Sequence, residues 1–138
     1  MVVHGVLATL AARKASTTIP IVCFACGDLV GTGLVASLAR PGGNITGLTV
    51  LAPEVSGKRL ELLKEFVPRL TRVAVLFNPG NPVSGPELRE TEAAARSLGL
   101  QLQSLGVRDP DGFGSAFSSM KSARADALIV LSDAMFYG

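Results

Sequence analysis

The chain has 138 residues, 48% of them apolar and 5% aromatic, with a formal net charge of +2. That length suits one domain or parts of two, and the supply of Val, Leu, Ile and Ala fills a core and excludes a disordered chain. The basic residues are scattered, with no stripe and no interleaved aromatics, which argues against a nucleic-acid partner. No apolar run approaches the roughly 20 residues that span a bilayer. Met1 leads straight into Val2-Val3-His4-Gly5, with no basic stretch or cleavage site typical of a signal peptide. This start suits a cytoplasmic chain, or one whose natural N-terminus lies further upstream.

Apolar runs alternate with helix-periodic segments along the chain. Val2-Val3 is a possible strand stub, and Gly5 to Ala15 is rich in helix formers, with Val6, Leu7, Leu10 and Ala11 on one face. Thr18 to Ala25 is a continuous apolar run of the kind buried on both faces of a sheet. Leu29 to Ala39 reads as a helix stopped by Arg40-Pro41-Gly42-Gly43, and Asn44 to Leu51 as extended chain interrupted by Gly47. Pro53 and Glu54 suit the first turn of a helix, with Leu60, Leu63 and Phe66 or Val67 as its face. Arg72 to Phe77 is a strand followed by the turn Asn78 to Pro82, in which Asn81 is an N-cap and Pro82 the first helical residue. Leu88, Thr91, Ala95 and Leu98 then recur at helical spacing before Gly99. Leu100 to Val107 is a strand, and Asp109-Pro110 repeats the cap-then-proline signal. Phe113, Ala116, Phe117 and Met120 form a helix face, and Asp126 to Leu131 is a last strand.

This rhythm predicts an α/β fold of βαβ units with a parallel sheet. Ligands of such sheets sit beyond the carboxyl ends of the strands. The residues there are Ala25 to Asp28, Asn78 to Ser84, Val107 to Asp109, and Ser132 to Ala134. Asn78, Asn81 and Ser84 offer amide and hydroxyl groups beside the free N–H groups of a helix start, which suits a carboxylate. The alternative is that they are turn and cap residues. Asp133, after Ser132, offers a partner for an ammonium or hydroxyl, or is a solvated loop carboxylate.

Cys23-Phe24-Ala25-Cys26 is a C-x-x-C, but Cys23 lies inside the apolar run and Asp28 disfavours a nearby thiolate. Two buried strand cysteines fit better than a redox dithiol. Gly31 to Ala36 matches G-x-G-x-x-A, yet its glycines fall inside the expected helix instead of directly after the strand. Close helix packing explains them better than a dinucleotide. The single His4 and the absence of further cysteines leave no structural zinc set, and no catalytic triad or paired carboxylates are spaced for chemistry. The residues therefore indicate no catalytic groups, no metal and no cofactor. The enzyme reading kept beside this is a small C-x-x-C or dinucleotide-binding oxidoreductase.

The order of motifs resembles a family of ABC transporter substrate-binding proteins. The matching stretches are GDLVGTGLVASLARPGGNITGL (27–48), SGKRLELLKE (56–65), RVAVLFNP (72–79), RETEAAAR (89–96) and ADALIVLSD (125–133). Where the family usually has Pro after Gly-Asp, this chain has Leu29. The resemblance implies a two-lobed type I periplasmic-binding fold that closes on an amino acid or small organic acid. The implied partners are a membrane permease and its ATPase, and the implied location of the full-length parent is the periplasm. On this comparison the chain is truncated at both ends and covers about half of a usual member. Residues 1–47 would be the remainder of the first lobe and 48–138 the larger part of the second. Gly27 and Asp28 would face the solute from one lobe, and Asn78, Asn81, Ser84, Ser132 and Asp133 from the other. A truncated lobe would leave apolar surfaces exposed, and two copies are expected to cover them as a homodimer.

Overall fold

A computed structural model describes residues 1–50 and 52–136, with only the helical backbone for 52–54. The expected roles of Pro53 and Glu54, and the Leu51 end of the expected extended segment, lie outside the described residues.

Among the described residues six strands and four α-helices follow in the order β1 (Val2–His4), α1 (Gly5–Ala15), β2 (Ile21–Cys26), β3 (Ile45–Thr49), α2 (Ala52–Phe66), β4 (Arg72–Phe77), α3 (Ser84–Ser97), β5 (Gln101–Gly106), α4 (Phe113–Ser122) and β6 (Ala127–Val130). They form two parallel three-stranded sheets, ordered β1-β2-β3 and β5-β4-β6. The expected parallel α/β architecture is present. Each sheet belongs to its own compact unit. The first holds β1 to β3 together with Asn81–Val83, and the second holds α2, β4, α3, β5, α4 and β6.

In the first unit α1 covers one face of the sheet. Val6, Thr9 and Ala12 of α1 are buried, and Val6 and Ala12 join a core with Ile21, Cys23, Cys26 and Ile45. The expected helix face is therefore rotated. Leu7 is 45% exposed, because the buried stripe is set by Thr9 against the β2 sulfurs and not by the most apolar residues. β2 also departs from the expected double burial. Ile21 and Cys23 are buried, whereas Val22 and Phe24 are 43% and 54% exposed. Alternate side chains of a strand point to opposite faces, and α1 packs on one face only. At Gly47 a Cβ would collide with the Cys23 backbone, so the close approach of β3 to β2 requires glycine there.

The expected helix over Leu29 to Ala39 is absent; the segment is a set of turns. Its start is a single helical turn. Asp28 Oδ1 accepts from the N–H groups of Val30 and Gly31 at 3.1 and 2.8 Å, as an N-cap does. Gly33, at φ +67°, then closes it: Leu34 N–H bonds Leu29 C=O at 3.0 Å and Gly33 N–H bonds Val30 C=O at 2.9 Å. Those two bonds are a Schellman stop. Gly33 therefore serves backbone conformation and Gly31 leaves room for the Asp28 carboxylate, and neither packs a helix. A Cβ on Gly33 would meet nothing within 4 Å, while the Cβ place on Gly31 is taken by the Asp28 carboxylate.

In the second unit β4 is central and buried along Val73 to Leu76. One face packs Val73 with Leu60, Leu70, Ala95 and Leu100 under α2 and α3. The other packs Leu76 and Val107 with Ala116 of α4. At the end of α2 the inward residue is Val67, just past the helix, and not Phe66, which is 86% exposed. The predicted stop at Gly99 is present: φ is +67°, and Leu100 N–H bonds Ala95 C=O at 2.9 Å. Asp109 accepts from Gly112 N–H with Pro110 at the first position, though the cap serves a short 3₁₀ turn that leads into α4.

Candidate functional site

In the first unit β2 delivers Gly27 and Asp28 directly after its last residue, Cys26. Gly27 lies so close to Val83 that a Cβ would overlap its methyl groups. Its carbonyl accepts from the Thr49 hydroxyl at 2.7 Å. The Asp28 side chain is exposed at this exit, with one oxygen held by its own turn. Asn81 is buried, and its Oδ1 accepts from Val83 N–H at 3.0 Å. The regular helix begins only at Ser84, so Asn81 closes a turn ahead of α3 and does not cap its first residue.

In the second unit the exits of β4 and β6 meet. Asn78 Nδ2 donates to Asp133 Oδ2 at 3.0 Å, and both residues are buried. Asn78 Oδ1 accepts from Gly80 N–H at 2.8 Å, and Asp133 Oδ1 accepts from Met135 N–H at 2.8 Å. At 5% exposure Asp133 is not the solvated loop carboxylate of the alternative reading.

Glu87 escaped the sequence reading. It is fully buried on α3, where Oε1 receives Arg59 Nη1 at 3.1 Å and Oε2 receives Ser132 N–H at 3.0 Å. Ser132 Oγ lies 3.4 Å from Oε1. Glu87 thereby ties the β6 exit to α3 and positions the residue next to Asp133. Its spacing after Ser84 is that of a capping box, S-x-x-E, which would have sent the carboxylate back to the helix start. No local signal marks a glutamate that turns inward.

Ser84 sits at the start of α3 and is 1% exposed, and among the described residues its hydroxyl has no hydrogen-bond partner. An unmet buried hydroxyl costs about 1–3 kcal/mol. It stands beside the free N–H groups of a helix start, an arrangement that favours an anion.

Among the described residues no three His, Cys, Asp or Glu side chains gather as a metal set. Cys23 and Cys26 are both 0% exposed and are joined as a disulfide. They are buried strand cysteines as expected, but bonded to each other, and their burial does not suit a catalytic dithiol that must meet a substrate.

The sequence profile described as ABC transporter substrate binding protein matches residues 1–137. The chain belongs to this family. It is 30% identical over 123 residues to a tyrosine-binding protein of Clostridioides difficile, a match covering 89% of this chain and 35% of that protein. A solved ABC domain in complex with L-Trp from Streptococcus pneumoniae is 27% identical with a TM-score of 0.85, covering 98% of this chain and 46% of that one. A conserved domain protein of Vibrio cholerae is 30% identical with a TM-score of 0.82, covering 92% and 42%. The chain thus spans under half the length of these relatives, and its fold is that of periplasmic-binding-type substrate-binding proteins.

Proposed function

We propose that this chain is the solute-binding part of an ABC importer's receptor, that its solute is an amino acid, and that it performs no catalysis. The observation that carries the reading is the identity of 27–30%, sustained over nearly the whole chain, to proteins described with tyrosine and L-Trp. The polar groups at the strand exits support it. The α-carboxylate of an amino acid would accept from the Ser84 hydroxyl and the N–H groups at the start of α3. The ammonium would meet Asp133, whose position Asn78 and the Glu87–Ser132 contact hold. Gly27, Asp28 and Asn81 are further polar or close-approach positions at strand exits that we assign to solute binding. The partner is a membrane permease, and the location is outside the cytoplasmic membrane, which suits the Cys23–Cys26 disulfide.

Thermal-shift measurements on the longest gene product containing this sequence test the reading. L-Tyr, L-Trp and L-Phe should raise the transition, by about 2.7 kcal/mol of stability at a hundred times the dissociation constant. A panel of amino acids and organic acids that leaves the transition unmoved overturns it.

The same reading includes a homodimer of this chain. The sheet face of the first unit opposite α1 is apolar and exposed: Val2 at 75%, Phe24 at 54% and Leu48 at 66%. Two copies pairing this face would remove it from water.

A further inference from the structure

The C-x-x-C motif has no part in the solute-binding reading, yet it sits at the root of the Gly27-Asp28 loop. In a regular strand residues i and i+3 point to opposite faces. Cys23 and Cys26 point to the same one, because β2 carries an extra residue between them. Cys23 pairs with Gly47 and Cys26 with Thr49, so three steps on β2 face two on β3. This is a β-bulge. Its kink falls at Ala25, a non-glycine residue at φ +50°, a conformation that persists only when surrounding structure imposes it. The Cα atoms of the two cysteines are 6.1 Å apart, within the range that a disulfide spans. Thr9 Oγ1 of α1 lies 3.0 and 3.2 Å from the two sulfurs and 2.7 Å from the Gly5 carbonyl. Just beyond the bond, the Cys26 carbonyl accepts from Val50 N–H at 2.6 Å and the Gly27 carbonyl from Thr49.

We propose that the Cys23–Cys26 disulfide is a redox-controlled clasp that imposes the β2 bulge and so sets the position of the Gly27-Asp28 loop. When oxidised, the bond holds Ala25 in its left-handed conformation and keeps Cys26 in register with Thr49. When reduced, nothing covalent opposes the return of Ala25 to extended backbone. The exit of β2 then slips against β3 and the Val50–Cys26 bond loosens. The oxidant is a small-molecule disulfide such as glutathione disulfide. One cysteine thiolate attacks it, forming a mixed disulfide and releasing one glutathione thiolate. The second cysteine thiolate attacks the protein sulfur of that mixed disulfide and releases the other glutathione. Two electrons pass from the protein dithiol to glutathione disulfide, and the two thiol protons end on the released thiolates. Because both sulfurs are 0% exposed, exchange in the folded protein waits on local opening of α1, so the clasp changes state slowly.

The test is amide exchange by mass spectrometry on the full chain, equilibrated with glutathione disulfide or with a phosphine reductant, with thiols counted by alkylation under denaturing conditions. The oxidised form should take up no alkyl groups and the reduced form two. Exchange at Val50 and over residues 26–31 should be at least tenfold faster in the reduced form, while the second unit is unchanged. Ala25→Gly, which adopts a positive φ without strain, should shrink that difference by keeping the bulge in the reduced form. Two alkylated thiols in the glutathione-disulfide-equilibrated protein overturn the proposal. So does equal exchange at Val50 and residues 26–31 in both forms. Cys23→Ala/Cys26→Ala should match the reduced protein; a variant exchanging as slowly as the oxidised form refutes the clasp without any reductant present.

Discussion

Replacing Arg59 by methionine removes the charged partner of Glu87 while keeping most of the length of the aliphatic stem. The Nη1–Oε1 contact is 3.1 Å, with Glu87 fully buried and the Arg59 side chain 41% exposed. At an effective dielectric near 20 the bare attraction is about 5 kcal/mol. Exposure of the guanidinium screens it, which brings the expected loss for Arg59→Met to about 2–3 kcal/mol. Glu87→Gln should cost less, about 1–2 kcal/mol, because the released Arg59 turns to water whereas the released Glu87 cannot. In the glutamine variant the amide oxygen can still accept from Ser132 N–H, and the amide N–H₂ only displaces the guanidinium. The double variant should cost about the same as Glu87→Gln alone, a coupling of about 2–3 kcal/mol. Urea titrations followed by circular dichroism measure all four corners. An additive cycle, or Glu87→Gln proving the more damaging single change, refutes the assignment of Glu87 as a buried charge held by Arg59.

The second unit also carries a pH signature at the other end of its sheet. Asp126 Oδ2 accepts from Arg72 N–H, Thr71 N–H and the Thr71 hydroxyl at 2.9–3.0 Å, and these bonds hold its carboxyl below the usual carboxylate value. A lowered folded value means the contribution is present above the ordinary pKa of 3.8 and is lost as pH falls through the folded one. As pH falls below the ordinary value of 3.8, wild type should lose stability more steeply than Asp126→Asn, and superimposable acid titrations would remove the effect. For the proposed homodimer, light scattering should give twice the chain mass for wild type, and Phe24→Ser, which puts a hydroxyl in the exposed apolar face, should shift it toward monomer. A wild-type monomer at high concentration ends that reading.

How much was legible in the sequence follows from the range of the forces involved. The strand at Arg72 to Phe77 and the stop at Gly99 depend on local apolar content and a single backbone preference, and both stand where expected. The segment Leu29 to Ala39 has helical composition, but the Asp28 cap and the Gly33 stop fall only five residues apart, and the two together leave room for one turn. The polar strand exits were readable because a parallel sheet places its loops at one edge. Their roles were not. That Asn78 donates to Asp133 follows from the adjacency of β4 and β6, residues 55 apart in the chain.

The sequence by itself determined the alternation of strands and helices, the parallel α/β class and the family, since all three rest on short-range pattern and long motif runs. Only the tertiary structure decided which way side chains face. Packing of α1 on one side left Val22 and Phe24 exposed, and one extra residue in β2 turned two separate cysteines into a bonded pair. Glu87 became a buried anchor for Ser132 because α2, α3 and the β6 exit converge on it. Those outcomes are set by contacts between distant segments, where a single inserted residue reverses a face and a single buried charge selects its partners.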